Sequence, residues 1–467
     1  MPDQTHFRSR SFWMETAPYE PGPPLTEDTR VDVAIVGGGF GGLWTAYHLK
    51  RAEPSLAIAV VEREVIGYGA SGRNGGFAMT LVQRSLGDLL EAYGPEEALA
   101  VHRAMAEAVD GIGRFSKEHA VDCDFEKNGV LTVSTAPWQD ASIEADVRAA
   151  KEIGLDDLRF LDAPVLQEMV HSPIYRCGEL DTSSAILNPA KLSWGIARVL
   201  REQGVAIYEG TEVRGVRRRP DGADVQTSGP TLRAEHVVMT TNAYSVQFPG
   251  IRRWVVPIYT YIVLTEPLTD AQWRAIGWSG REGIEDRMGG FHYYRPTADG
   301  RIAWGGEIYP YHFGSRIASE FDRDEAAFQA LRTSLVRTFP PLAGVNFTHA
   351  WGGPVAITAR WLATFGTEKG GHVHHGIGHC GHGVATTYLG GEILRDLVLD
   401  RDTDRTKLCF AWQRPFAFPP EPLRYLTVQS SVKTMVDQDR KGRVAKPSML
   451  ERMLLRPARQ REKNSGS

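Results

Sequence analysis

Residues 31–36 (VDVAIV) form a short apolar run that stops abruptly at glycines, and residues 43–50 continue in helix formers, so the pattern predicts strand, tight turn and helix. A second apolar run, LAIAVVE at 56–62, predicts the next buried strand. Together they make one βαβ unit of about 30 residues, with a right-handed crossover between parallel strands. Helical periodicity follows at 95–119 and 139–154, with a strand, GVLTVST, at 129–135. A helix at 188–203 is entered through Asn188-Pro189, where proline suits the first turn. Strands are predicted within 204–218 and at 236–241 (HVVMTT). Between 254 and 348, VVPIYTYIVLT, GFHYYRP and RIAWGG surround a helix at 322–339, the pattern of a separate mixed sheet. From 372 the opening pattern returns: short strand, glycine-rich turn, then a helix carrying Val384, Tyr388, Leu389, Leu394 and Leu397. The fold class is therefore α/β, α+β overall, with one nucleotide-binding domain assembled from separated segments and substrate-domain segments inserted between them.

Composition narrows the function. The 467 residues, 42% hydrophobic and 24% charged, suffice for two or three packed units and exclude disorder as the default. With 53 Lys and Arg against 57 Asp and Glu, no positive excess exists to bind nucleic acid or an anionic membrane. Four cysteines without a CxxC pair argue against a disulfide framework and a structural zinc site, and fit a cytoplasmic location. The N-terminal arm mixes charge with proline and lacks the apolar core of a secretory signal. No run approaches the roughly 18 apolar residues needed to span a bilayer.

Gly37, Gly39 and Gly42 form a GxGxxG turn between strand and helix, and Glu62 ends the next strand 20 positions after Gly42. Glycine lets the backbone approach a pyrophosphate, whose charge sits on the free amides of a helix N-terminus. Glu62 can accept hydrogen bonds from ribose hydroxyls and would repel a ribose phosphate, which disfavours NADP. The bland alternative is a turn that only packs helix on strand; GYGASG (67–72) and GIGHCG (376–381) match the same spacing.

GASGRNGG at 69–76, shortly after VDVAIVGGGFGGLWTAYHL, resembles the D-amino-acid-oxidase-type (DAO) FAD-dependent oxidoreductases, particularly their gamma-glutamylputrescine oxidase branch. TTNAYS (240–245), YYRPTADGRIAWGG (293–306), WGGPVAITARWLATFG (351–366) and GHGVATTYLGGEIL (381–394) extend the resemblance over roughly 11–402. It implies a Rossmann-type FAD-binding domain (31–119, 176–248 and 350–405), an inserted mixed-sheet substrate domain (120–175 and 249–349), an arm at 1–30 and a tail at 406–467. It also implies FAD, taken as noncovalent because no cue for covalent attachment is seen, with Gly37, Gly39 and Gly42 on the pyrophosphate and Glu62, with Arg63 beside it, at the ribose. Ser71, Arg73, Asn74, Gly75 and Gly76 would line the pyrophosphate and ring, and Val213 the adenine. Asn242, Gly381, His382, Gly383 and Val384 complete the expected cofactor set, the last four beside the pyrimidine end of the flavin. The dense HVHHGIGHCGH segment (372–382) invites a metal reading, but a strand sends successive side chains to opposite faces, and no metal is expected.

The resemblance implies oxidation of an amine or amino acid at CH–NH, giving an imine, with oxygen or another acceptor taking the electrons. The cofactor carries that chemistry, so no nucleophile need announce itself. Catalytic candidates come from the inserted sheet and the segment after it: His292, Tyr294, Tyr259 and Arg360, with Tyr261, Tyr293 and Arg295 weighed beside them; for each, packing is the alternative. Sarcosine-oxidase relatives place a lysine near the flavin, whereas this chain has none between Lys191 and Lys369; Arg252 or Arg253 is the available substitute. Two rival readings stand beside this one. An NAD(P)H-using flavoprotein would need a second nucleotide turn at 376–381, yet RDTDRTKLCF supplies no convincing next strand. A flavin-retaining regulatory protein is the other. The substrate and the oligomeric state are not legible.

Overall fold

The computed structural model describes residues 7–307, 309–411 and 415–443. Its first βαβ unit runs Thr29–Val36, Phe40–Ala52 and Ile58–Val61, with the two strands parallel and Val33 opposite Ile58. Both faces of these strands are buried. Val33, Ile35, Ile58 and Val60 enter one core, and Ala34, Val36, Ala59 and Val61 enter another. Continuous apolar runs, not alternating ones, are what a parallel sheet covered on both faces demands.

Around this unit the sheet continues in parallel through Thr231–Met239 and Val373–Ile377 on one side and Ala206–Tyr208 on the other. An antiparallel edge strand, Thr364–Thr367, completes that side, and an antiparallel meander, Val213–Arg219 and Gly222–Thr227, hangs from Thr231–Met239. Helix Gly383–Val398 lies against Phe40–Ala52, so the first and last nucleotide-binding segments share one core.

A second sheet of eight strands has the order Phe347–Ile357, Val256–Thr265, Ile302–Gly306, His292–Pro296, Gly283–Asp286, Val130–Ser134, Cys177–Asp181 and Leu158–Leu161. It is mixed: Gly283–Asp286 runs parallel to Val130–Ser134 and its other pairings are antiparallel. One face packs on helix Glu325–Thr338 through Tyr261, Val263, Tyr294, Trp304, Phe328 and Leu331.

Two boundaries differ from those expected. Cys177–Asp181 pairs between Val130–Ser134 and Leu158–Leu161, and Phe347–Ile357 pairs with Val256–Thr265, so both belong to the second sheet. Their apolar patterns are compatible with either sheet, and pairing register decides. The arm is tied down: Ser11 Oγ donates to Gly72 O at 2.6 Å and Trp13 Nε1 to Asn74 O at 2.8 Å. In the tail, helix Leu423–Lys441 docks on the second sheet, where the Asp439 carboxylate accepts from the Gly289 and Gly290 amides at 2.7 and 2.8 Å. The basic end, 444–467, lies outside the described residues. Among the described residues no helix is long and apolar enough to cross a membrane.

Candidate functional site

A cavity of about 320 Å³ opens between the two sheets, at the carboxyl end of Thr29–Val36. This is where ligands bind in open α/β sheets. Every expected cofactor residue lines it except Gly42 and Gly76.

The phosphate side is built from the first turn. Gly37 and Gly39 form the wall, and the Phe40 amide at the helix start donates to Ser71 Oγ at 2.8 Å, which draws the 69–76 loop over the N-terminus. Glu62 Oε2 accepts from the Gly38 amide at 2.7 Å and Oε1 from Glu64 at 3.0 Å. Burial raises its pKa, and those two amides oppose the rise. The carboxylate is thus aimed at the turn beside Arg63 and Val213, which also line the cavity.

Gly42 and Gly76 are corrections to the expected set. A Cβ on Gly42 would lie 2.1 Å from Gly37 O, so this glycine permits close approach of helix and turn and does not itself contact the cavity. Gly76 has φ +76°, and a Cβ there would lie 2.1 Å from Leu187 O. It shapes the loop from behind.

In that loop Asn74 Oδ1 accepts from the Gly76 amide at 2.7 Å, while Gly75 abuts the Tyr293 ring. Arg73 lines the cavity, but its guanidinium is spoken for: it donates to Asp322 Oδ2 at 2.9 Å, Tyr244 OH at 3.1 Å and Gly352 O at 3.3 Å.

At the other end Asn242 Oδ1 accepts from the Gly378 amide at 3.0 Å and fixes the turn that leads to Gly381, His382, Gly383 and Val384. His379 and His382 line the cavity, and each has a buried Nδ1 without a hydrogen-bond partner. Burial pushes both rings down to about 4, so they are neutral at pH 7. Unsatisfied buried nitrogens at a cavity wall, beside a helix N-terminus, are what a polar heterocyclic ligand would complete. The cradle fits FAD: amides for the pyrophosphate, a carboxylate for the ribose, and polar atoms for the ring.

The four catalytic candidates are not brought to this cavity. His292 turns its ring to Asp286 at 2.7 Å and Glu307 at 3.3 Å; burial opposes its charge, but the two carboxylates prevail and lift its pKa to about 9. Tyr294 stacks on Trp304 at 3.8 Å and shares a hydrogen bond with Tyr175 OH. Tyr259 OH donates to Ala318 O at 3.3 Å. Arg360 Nη2 donates to Tyr93 OH at 2.8 Å and Cys409 O at 2.9 Å. For the strand residues the reason is parity: 259, 292 and 294 point to the face covered by Glu325–Thr338 or its flanks, and their neighbours Ile258, Thr260 and Tyr293 point to the cavity. Arg252 and Arg253 are exposed and do not line it.

Several wall residues were not selected from the sequence: Thr260, Glu285, Phe291 and Tyr309 on the second sheet and its loops, and Val428, Val432 and Met435 on helix Leu423–Lys441. Alternation could have found Thr260 once Tyr259 and Tyr261 were assigned to the core. Nothing local marks the tail helix, because it is remote in sequence from everything it covers.

Comparison with known proteins agrees with this geometry. Residues 32–397 match the family model described as FAD dependent oxidoreductase (DAO). The chain is similar to the gamma-glutamylputrescine oxidoreductase of Escherichia coli, with 30% identity over 81% of this chain and 86% of that protein. It is also similar to a probable oxidoreductase OrdL of Haemophilus influenzae, with 29% identity over 85% and 90% of the two chains. Among solved structures, glycine oxidase from Geobacillus kaustophilus superposes with a TM-score of 0.70 at 19% identity, covering 83% of this chain and 100% of that one. L-proline dehydrogenase from P. horikoshii gives 0.68 at 18% identity, covering 81% and 96%.

Proposed function

Since the chain belongs to the DAO family of FAD-dependent oxidoreductases, we propose that it oxidises a primary or secondary amine, or an amino acid, at CH–NH to an imine, with oxygen reduced to hydrogen peroxide. Bound FAD supplies the acceptor for the hydride equivalent. The observation that carries the reading is the continuity of one cavity from the Gly37 and Glu62 cradle to the wall formed by Thr260, Tyr293 and Glu285.

On this reading the residues have separate tasks. Gly37, Gly39, Ser71 and Glu62 hold the dinucleotide, and Asn74 and Gly75 set the loop that borders the ring. Negative charge that develops at the 381–384 end is stabilised by the amides and dipole of helix Gly383–Val398, since His379 and His382 are neutral. Tyr293 orients the amine, and helix Leu423–Lys441 excludes water from the outer wall.

The test is anaerobic absorbance of the bound flavin during a screen of amines, amino acids, NADH and NADPH, followed by air and peroxide detection. Bleaching by amines and peroxide on reoxidation are expected. A flavin left oxidised by every amine and amino acid, or reduced rapidly by NADH or NADPH, would overturn the reading. Reduction by amines without peroxide would instead assign a dehydrogenase with another acceptor.

A further inference from the structure

A cross-strand row of the second sheet runs past the cavity, which Ile262, Tyr293 and Glu285 of that row line. Ile262 sits opposite Gly305, Gly305 opposite Tyr293, Tyr293 opposite Glu285, Glu285 opposite Thr132 and Thr132 opposite Glu179. Residues directly opposite one another share a face of the sheet. The row begins apolar and ends acidic.

Glu285 is only 7% exposed, yet it lines the cavity. Its Oε1 accepts one hydrogen bond, from Thr132 Oγ1 at 3.1 Å. Among the described residues no cation is paired with it: Arg287 is bound to Asp146, and Arg281 to Glu126 at 2.7 Å. Beyond Thr132, Glu179 has a buried Oε2 with no partner. Burial pushes the Glu285 carboxyl up to about 7, with Asp286 and Asp181 adding to the rise and the Thr132 hydroxyl opposing it. A buried carboxylate without a cation is costly, and a protein that needed only packing here would do better with a neutral side chain.

The same place has an aromatic wall. Phe291 stacks on Tyr309 with centroids 5.9 Å apart and lies 6.1 Å from Tyr293. All three rings border the cavity. Ring faces and a carboxylate together recognise an alkylammonium, by cation–π attraction on one side and an ion pair on the other. In the same cavity, Ile258, Val428, Val432 and Met435 supply apolar lining of the kind that accommodates a methylene chain.

We propose that Glu285, with Phe291, Tyr293 and Tyr309, forms a subsite for a second ammonium group, so that the substrates are diamines or polyamines carrying positive charge away from the nitrogen that is oxidised. The proposal rests on the amine reading above and names the substrate class of that site. Thr132 is a positioning residue: its hydroxyl holds Oε1 and leaves Oε2 for the ligand.

The experiment uses the full-length holoenzyme. Anaerobic flavin reduction and steady-state turnover in air are measured with putrescine and cadaverine and compared with those for butylamine and pentylamine, which match them in length and lack the second charge. The kcat/KM of each diamine should exceed that of its monoamine by about 100-fold, the scale of a buried charge pair completed by the ligand. Glu285→Gln should collapse that ratio, chiefly through KM, and Thr132→Val should lower it less. If diamine and monoamine react equally well, the subsite is overturned and the amine reading stands. If no amine reduces the flavin, both fail. The wild-type comparison decides the matter even if Glu285→Gln does not fold.

Discussion

The two walls of the cavity read very differently from sequence. On the nucleotide side, glycines and Glu62 chosen from spacing meet around one turn, and most of the residues chosen with them reach the cavity. On the substrate side, Tyr259, His292 and Tyr294 all face away from it. The nucleotide site is local, made by residues adjacent to one strand and one helix. The wall from the second sheet is a face of an eight-stranded sheet, and a one-residue change of register would exchange its two faces.

The hardest test of this contrast is Gly42→Val. The added side chain would meet Gly37 O, so the turn must open, and a loss of about 3 kcal/mol or more with little FAD retained is expected. Thermal unfolding and the flavin-to-protein absorbance ratio measure both. Wild-type affinity in this variant would mean the turn does not depend on close packing.

Next in size is Glu62→Ala. Losing a carboxylate that accepts charge-assisted hydrogen bonds costs roughly 1.5–3 kcal/mol, so the Kd for FAD should rise about 10- to 100-fold. Equilibrium dialysis after mild denaturant release provides the measurement and tests noncovalent attachment as well. An unchanged Kd removes Glu62 from the cofactor site.

A third comparison sets Tyr293→Ala against Tyr259→Phe and Arg360→Lys. The first should lower kcat/KM for amines by about tenfold or more, a loss of roughly 1.4 kcal/mol of transition-state stabilisation, and the other two by less than about threefold, because Tyr259 and Arg360 do not line the cavity. The reverse order would show that the strand faces have been assigned backwards.

The smallest effect concerns pH. His292 has its folded pKa raised to about 9 by Asp286 and Glu307, so its contribution to stability is full below the unfolded value near 6.5 and is lost as pH rises through 9. Tm should fall across that window, and the fall should shrink in His292→Gln. Activity should not track the same pKa. If it does, His292 acts on the reaction from behind the sheet.

Much of the fold was legible for a plain reason. Apolar runs closed by glycines at 31–42 and 372–383 encode buried parallel strands leading into helices, and both segments occupy one sheet. Cys177–Asp181 and residues 350–357 fall in the nucleotide half by the expected bounds because their patterns suit either sheet, and only their hydrogen-bonded partners distinguish the two. Arg360 looked like a carboxylate binder, but Tyr93 and Cys409, both far away in sequence, claim its guanidinium.

By itself, then, the sequence determined the dinucleotide turn, the acidic end of the next strand and the family to which the chain belongs. The turn and the acidic end depend on residues that contact one another within a single βαβ unit, and the family shows in motifs spread over 11–402. The tertiary structure alone decided which side of the second sheet faces the cavity, which cations are already paired, and that among the described residues none pairs with Glu285. Which face a strand covers and which charges pair depend in part on partners far apart in sequence, such as Thr132 with Glu285 and Arg281 with Glu126, and no local pattern carries that information.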